Sequence, residues 1–128
     1  MSAAGPEESA SEVAPESIAE LVGAWAQSAS DCDSLFQRKG RALAFRQPVN
    51  QFAQAAIVEP QRIRLPSATC QLERATHDEG ALKLSADCQD TISFTQRTVW
   101  VKLRSKSEIV YSPTGDPALN TTLTKCAL

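Results

Sequence analysis

From Ala42 onward, apolar and polar residues alternate in short runs bounded by Gly, Pro, Asn, Asp and Ser, the pattern of half-buried strands rather than of helices. Strands are predicted over Ala42–Arg46, Ala55–Glu59, Arg62–Leu65, Thr69–Ala75, Ala81–Asp87, Thr91–Thr95 joined to or followed by Thr98–Arg104, Glu108–Tyr111 and Leu119–Lys125. Glu59-Pro60-Gln61 and Ser105-Lys106-Ser107 carry the residues of tight turns. Val99, Val101 and Leu103 share one face while Trp100 takes the other, so this strand is expected to be covered on both sides. Ile63 and Leu65 fall out of phase with Cys70 and Leu72, and a bulge or corner at Pro66-Ser67 is expected to reconcile them.

The chain before Ala42 reads differently. Pro15 followed by Glu16–Val22 suits a helical turn, since Pro is tolerated in a first turn and glutamates favour the positive helix start. Gly23 stops it, and Ala24-Trp25-Ala26 opens the first extended segment. Asp33 is the expected N-cap of a helix over Ser34–Lys39, ended by Gly40. Seven or eight short strands with short connections predict a mostly β fold, a small antiparallel meander barrel with a short N-terminal helical turn, because closure removes exposed edges. A β-sandwich is the alternative.

One hairpin also orders the cysteines. Cys32, Cys70, Cys88 and Cys126 contain no C-x-x-C pair, and the chain has one histidine, so the close ligand pairs of a zinc site are missing. If Cys70 faces Cys88 across a turn around His77–Gly80, then Leu72 faces Ala86 and Arg74 faces Leu84. Gln71, Glu73, Lys83, Ser85 and Asp87 then share the polar face. This register favours a Cys70–Cys88 bridge and leaves Cys32 to pair with Cys126. No metal or cofactor is expected.

Charge divides the chain. Residues 1–20 carry five glutamates and no Lys or Arg, which leaves the body of a chain with net charge −2 mildly basic. Residues 1–14, rich in Ala, Ser and Glu, are expected to be a disordered acidic tail, and 15–128 a single disulfide-stapled domain. The cluster Arg38, Lys39, Arg41 and Arg46 is not a stripe interleaved with aromatics, so nucleic acid is not an expected partner. No apolar run approaches the ~20 residues of a transmembrane helix, and the strands are too short for an outer-membrane barrel. The start lacks the basic and apolar segments of an export signal. Two bridges nevertheless imply an oxidising compartment, periplasmic or extracellular, with Met1 standing where the signal was removed.

Gly23-Ala24-Trp25, after a helical turn and before a run of strands, resembles the calycin group of small barrels, which includes lipocalins and bacterial periplasmic metalloprotease inhibitors. The resemblance implies that Trp25 plugs one end of the barrel, and Cys32 is similar to the bridged cysteine of the inhibitors. The excursion over Arg38–Ala56 and the second bridge depart from that pattern.

The function expected is that of an exported, non-enzymatic binding module, protein-binding or inhibitor-like. A lipocalin-type carrier of a small apolar ligand is the first alternative. A hydrolase using scattered carboxylates and His77 is the second. Candidate binding residues are Thr114 and Asp116, on the proline-stiffened loop Ser112–Pro117, and Arg38 and Lys39 in the basic cluster.

Overall fold

A computed structural model describes residues 12–112 and 120–128. Eight antiparallel strands close into a barrel: β1 (Gly23–Ala26), β4 (Ala55–Glu59), β5 (Arg62–Arg64), β6 (Thr69–Asp78), β7 (Ala81–Gln89), β8 (Phe94–Ser105), β9 (Glu108–Ser112) and β10 (Thr121–Lys125). Each of β4 to β10 pairs with its neighbour in sequence, and β1 joins β10 to β4 and so closes the ring. Between β1 and β4 the chain leaves the barrel through a short helix α1 (Cys32–Leu35) and a separate hairpin of β2 (Phe36–Lys39) and β3 (Ala42–Phe45). The sandwich alternative is thereby set aside.

Two apolar cores result from the alternation. Inward-facing Trp25, Val58, Leu82, Leu84, Val101, Ile109 and Leu123 meet inside the barrel, with Leu21 of a 3-10 turn (Ile18–Leu21) inserted from one end. The outward residues of β1 and β4, including Ala24, Ala26, Ala55 and Ile57, are just as buried, because Phe36, Phe45 and Cys32 of the excursion lie against them. Small alanines on that face let the excursion sit close. Both bridges form: Cys32–Cys126 ties α1 to the end of β10, and Cys70–Cys88 crosses the β6–β7 hairpin.

Several expectations need correction. The helix over Ser34–Lys39 is one turn, ending at Leu35, because Phe36 and Phe45 pair as facing strand residues whose rings stack 5.4 Å apart. Gly40 is therefore a hairpin residue rather than a helix stop. Its φ of +66° at the first of two turn positions is the conformation that a two-residue II′ hairpin requires of glycine.

No bulge lies at Pro66-Ser67. Leu65 and Ala68 exchange backbone hydrogen bonds around a tight turn, and antiparallel pairing of Ile63 with Cys70 puts odd-numbered β5 residues and even-numbered β6 residues on one face. The bulge lies instead at Glu73. Cys70 faces Cys88 and Leu72 faces Ala86 as expected, but Arg74 faces Ser85 and Ala75 faces Leu84. The turn is Glu79-Gly80 alone, with φ of +51° and +81°, which makes a type I′ hairpin. That turn fixes Asp78 opposite Ala81, one residue out of step with the register at the cysteines, and the extra residue is extruded at Glu73. His77 accordingly belongs to β6 and not to a turn.

The folded domain also begins earlier than the expected Pro15. Val13 forms a two-way backbone bridge with Leu103, and Glu12 pairs with Arg104 at 3.3 Å, so residues 12–14 are attached to β8.

Candidate functional site

The two rims of the barrel differ. At one rim, the 3-10 turn closes the lumen. Trp25 is wholly buried there and its indole N–H donates to the Leu21 carbonyl at 2.8 Å. His77, facing inward opposite Leu82, places Nε2 2.9 Å from the Pro15 carbonyl. The histidine considered for hydrolysis thus fastens the plug segment. Just outside this rim lies a shallow groove lined by Val13, Glu20, Leu103, Arg104, Lys106 and Lys125. A second groove crosses the outer face of β7–β9, where the Trp100 indole N–H donates to Asp78 Oδ2 at 3.0 Å and Lys83 Nζ lies 5.7 Å from the same ring. Trp100 is half-buried there, which accounts for a strand lined on both faces.

The opposite rim holds the turns that enter β4, β6 and β8. The lumen behind it is closed by the Cys70–Cys88 bridge with Ala86, against which Ile63 and Leu65 pack. Tyr111 on β9 donates from its hydroxyl to Gln54 Oε1 at 2.8 Å, linking β9 to the segment that enters β4. Thr95 and Arg97 continue the inward phase of Val99 and Val101 but are exposed, because β8 here runs out beyond the body of the barrel.

Among the described residues, three large apolar side chains are exposed on this rim: Phe52 at 93 %, Ile92 at 90 % and Phe94 at 77 %. Sequence reasoning missed them, since Ile92 and Phe94 look like core residues of a strand beginning at Thr91. A signal was present: they share the even-numbered phase of Trp100 and oppose the odd-numbered Val99, Val101 and Leu103. The strand starts only at Phe94, and Asp90–Ser93 form its turn.

Of the expected binding residues, Arg38 and Lys39 sit at the tip of the β2–β3 hairpin, both exposed. Arg38 donates to the carbonyls of Arg41 and Leu128, at 3.5 and 2.9 Å. Thr114 and Asp116 lie outside the described residues. Arg38 and Lys39 belong to a hairpin separate from the barrel strands that carry Phe94.

Two carboxylate sites stand out, one paired with arginines and one with a second carboxylate. Glu59, on β4, accepts hydrogen bonds from Arg62 at 2.7 Å and Arg64 at 3.2 Å, and the Arg62 bond above all holds its carboxyl below the ordinary range against the opposing effect of partial burial. Glu73 and Asp87 lie side by side on the outer face of β6 and β7. The hydrogen bond from one carboxyl to the other, with their mutual repulsion, holds Glu73 above the ordinary range. Among the described residues no group of three His, Cys, Asp or Glu side chains is arranged to hold a metal ion, and no helix is long and apolar enough to cross a membrane. Comparison with known proteins finds no family model, no curated protein and no solved structure that matches the chain.

Proposed function

We propose that this chain is an exported, non-enzymatic binding module that recognises another protein, built on a barrel of calycin kind. The observation that carries the reading is the contrast between a filled lumen and an apolar rim. Inside the barrel Trp25, Leu21 and Leu82 are fully buried, while Phe52, Ile92 and Phe94 remain in water. An eight-stranded barrel holds its own side chains or one small ligand, and here the side chains occupy it. Export is supported by the two bridges, which persist in oxidising compartments. The calycin likeness is supported by the closed eight-stranded meander and by Trp25 at the plugged end.

The test is a direct comparison of ligand classes on the full chain. Solvent extraction of natively purified protein should release no stoichiometric apolar molecule, and cis-parinaric acid should show no saturable binding. A stoichiometric complex should instead be recovered from an exported-protein fraction and rebuilt from purified components. Saturable fatty-acid binding would establish the carrier alternative. Turnover of any substrate in a broad hydrolase panel that is lost in His77→Ala would establish the enzymatic one.

A further inference from the structure

Single exposed apolar residues are ordinary on protein surfaces, but Ile92 and Phe94 stand two apart on a stiffened, projecting turn. One Asp90 carboxylate oxygen accepts the N–H groups of Ile92 and Ser93, both at 2.8 Å, and the Ser93 hydroxyl at 3.2 Å. The backbone N–H of Asp90 closes the turn onto the Ser93 carbonyl at 3.1 Å. Two of these bonds, from the Ile92 and then the Ser93 amide, draw the Asp90 carboxyl below its ordinary range. Behind the turn, Gln89 pairs with Phe94, and the next residue, Cys88, is bonded to Cys70. These bonds and the bridge restrain the tip, so less ordering entropy remains to be lost when it docks.

The surface beside the two anchors has a sign. On the outer face of β6–β8, Gln71, Glu73, Asp87, Gln89, Phe94 and Gln96 are all exposed. The bulge at Glu73 sets its carboxyl against that of Asp87, and no ion pair among the described residues involves either group. Arg74 follows the bulge on the same face without forming an ion pair with either group among the described residues, so the two crowded carboxylates are complementary to a cation supplied from outside.

Resting on the reading of the chain as a protein-binding module, we propose that the outer face of the β6–β8 tip docks into an apolar cleft of a partner protein rimmed by Lys or Arg. Ile92 and Phe94 are its anchors, and Glu73 and Asp87 its acidic flank. A lipid surface is disfavoured because Asp90 lies in the anchors' own turn and Asp87 and Glu73 share the outer face with Phe94; these carboxylates outnumber the nearby Arg97 and Arg74 and are repelled by anionic headgroups. The chain's own basic stretch, Gln37–Val58, carries four basic and no acidic residues and also bears Phe52. A contact between tip and stretch would join two different patches, which gives open chains unless the rotation closes.

Random peptides displayed on phage would be panned on the full chain, with an Ile92→Ser/Phe94→Ser double variant as counter-selection. Enriched peptides would then be synthesised and titrated by fluorescence anisotropy. The expected winners carry an aromatic or branched apolar residue flanked by Lys or Arg. Their affinity should drop at least about tenfold in the double variant, the scale of a lost interface anchor. It should drop severalfold in Glu73→Gln/Asp87→Asn, weaken with added salt, and be unchanged in Arg38→Glu/Lys39→Glu. All the altered side chains are exposed, so unchanged thermal unfolding of each variant serves as the folding control. Peptides that bind the Ile92→Ser/Phe94→Ser variant as tightly as the parent overturn the tip. If those peptides are lost only in Arg38→Glu/Lys39→Glu, the protein-binding reading stands and the docking surface moves. A selection with no winner, or winners without basic residues, also overturns the proposal. So does tip-dependent binding to phosphatidylcholine–phosphatidylglycerol vesicles, or tip-dependent self-association in sedimentation.

Discussion

Lys125 Nζ lies 5.8 Å from the centre of the Trp25 ring, and the two residues are direct partners across the β1–β10 ladder. Two positions before Trp25, Gly23 has φ of +142°, and a Cβ there would come within 2.8 Å of Lys125 Cε. Glycine is thus required twice, for the backbone angle and for the passage of the lysine stem. Gly23→Ala should destabilise by about 1–3 kcal/mol through backbone strain, because the lysine end can move aside but the φ angle cannot. Lys125→Met keeps the stem and loses only the cation over the ring, about 0.5–1 kcal/mol. Trp25→Ala should cost about 3–5 kcal/mol as a buried aromatic truncation. Urea unfolding of the three variants measures this order. A Trp25→Ala protein as stable as its parent would dismiss the plug and the calycin likeness together.

The two bridges should differ in what their removal costs. Cys32–Cys126 spans 94 residues and Cys70–Cys88 spans 18, so the chain-entropy model favours the longer bridge by about 1–2 kcal/mol. Structure adds to that ranking. The long bridge holds the excursion against β1 and β4, whereas the short one joins strands already paired along their whole length. Replacing both cysteines of each pair in turn and comparing denaturant midpoints tests it. A larger loss from the hairpin pair would mean that the bulged ladder is weak without its bridge.

Glu73 exists to absorb a mismatch, and that makes its removal unusually harmless. Without it, Leu72 still faces Ala86, Arg74 still faces Ser85, and the Glu79-Gly80 turn keeps its register. Deletion of Glu73 should therefore leave the Cys70–Cys88 bridge and the melting temperature almost intact. Deletion of Gln71 should not, since it turns either Cys70 or Leu72 to the outer face. Disulfide mapping of both deletions gives the answer. A bridge lost on deleting Glu73 would show that the bulge is needed to curve the sheet.

These register details mark where the sequence stops being informative. Strands β3 to β10 were legible because short runs of alternating or β-branched apolar residues are bounded by turn residues. The Cys70–Cys88 pairing was legible because only one register keeps Leu72 and Ala86 together on the buried face. The bulge was not, because it follows from a conflict between that register and a turn whose two residues cannot be picked out of His77-Asp78-Glu79-Gly80 by composition. Phe36 was hidden for another reason. Its burial is against the outside of the barrel, and a second core on an outer face leaves no periodic trace in a four-residue strand. The rim anchors Ile92 and Phe94 were passed over because apolar residues are read as core until a structure shows them in water.

The attached start of the chain sets a small, local test. Val13 both donates to and accepts from Leu103, at 2.9 and 2.6 Å. Val13→Pro removes the donor and should lower stability by about 0.5–1.5 kcal/mol, the net worth of one backbone hydrogen bond. Hydrogen exchange at the Leu103 amide, which donates to the Val13 carbonyl, should quicken in parallel. No change in either would mean that residues 12–14 contribute nothing to the fold in solution.

Two glutamates should give the pH dependence of stability opposite slopes. Glu59 is held below the ordinary range, chiefly by the Arg62 hydrogen bond. The folded state therefore favours its ionised form. Its contribution is present above the unfolded value of about 4.3 and is lost as pH falls through the lower folded value. Glu73 is held above that range by Asp87, so the folded state favours its protonated form. Its contribution is present at low pH and is lost as pH rises through the raised value. Melting temperatures of the parent, Glu59→Gln and Glu73→Gln across the acid range separate the two. The parent should exceed Glu59→Gln by an amount that grows from acid to neutral pH. It should match or exceed Glu73→Gln in acid and fall below it at neutral pH, where the variant no longer sets two carboxylates against each other. Difference curves of the same sign would mean that Arg74, which follows the bulge on the same outer face, neutralises the pair in solution, and the acidic flank of the docking tip would go with it.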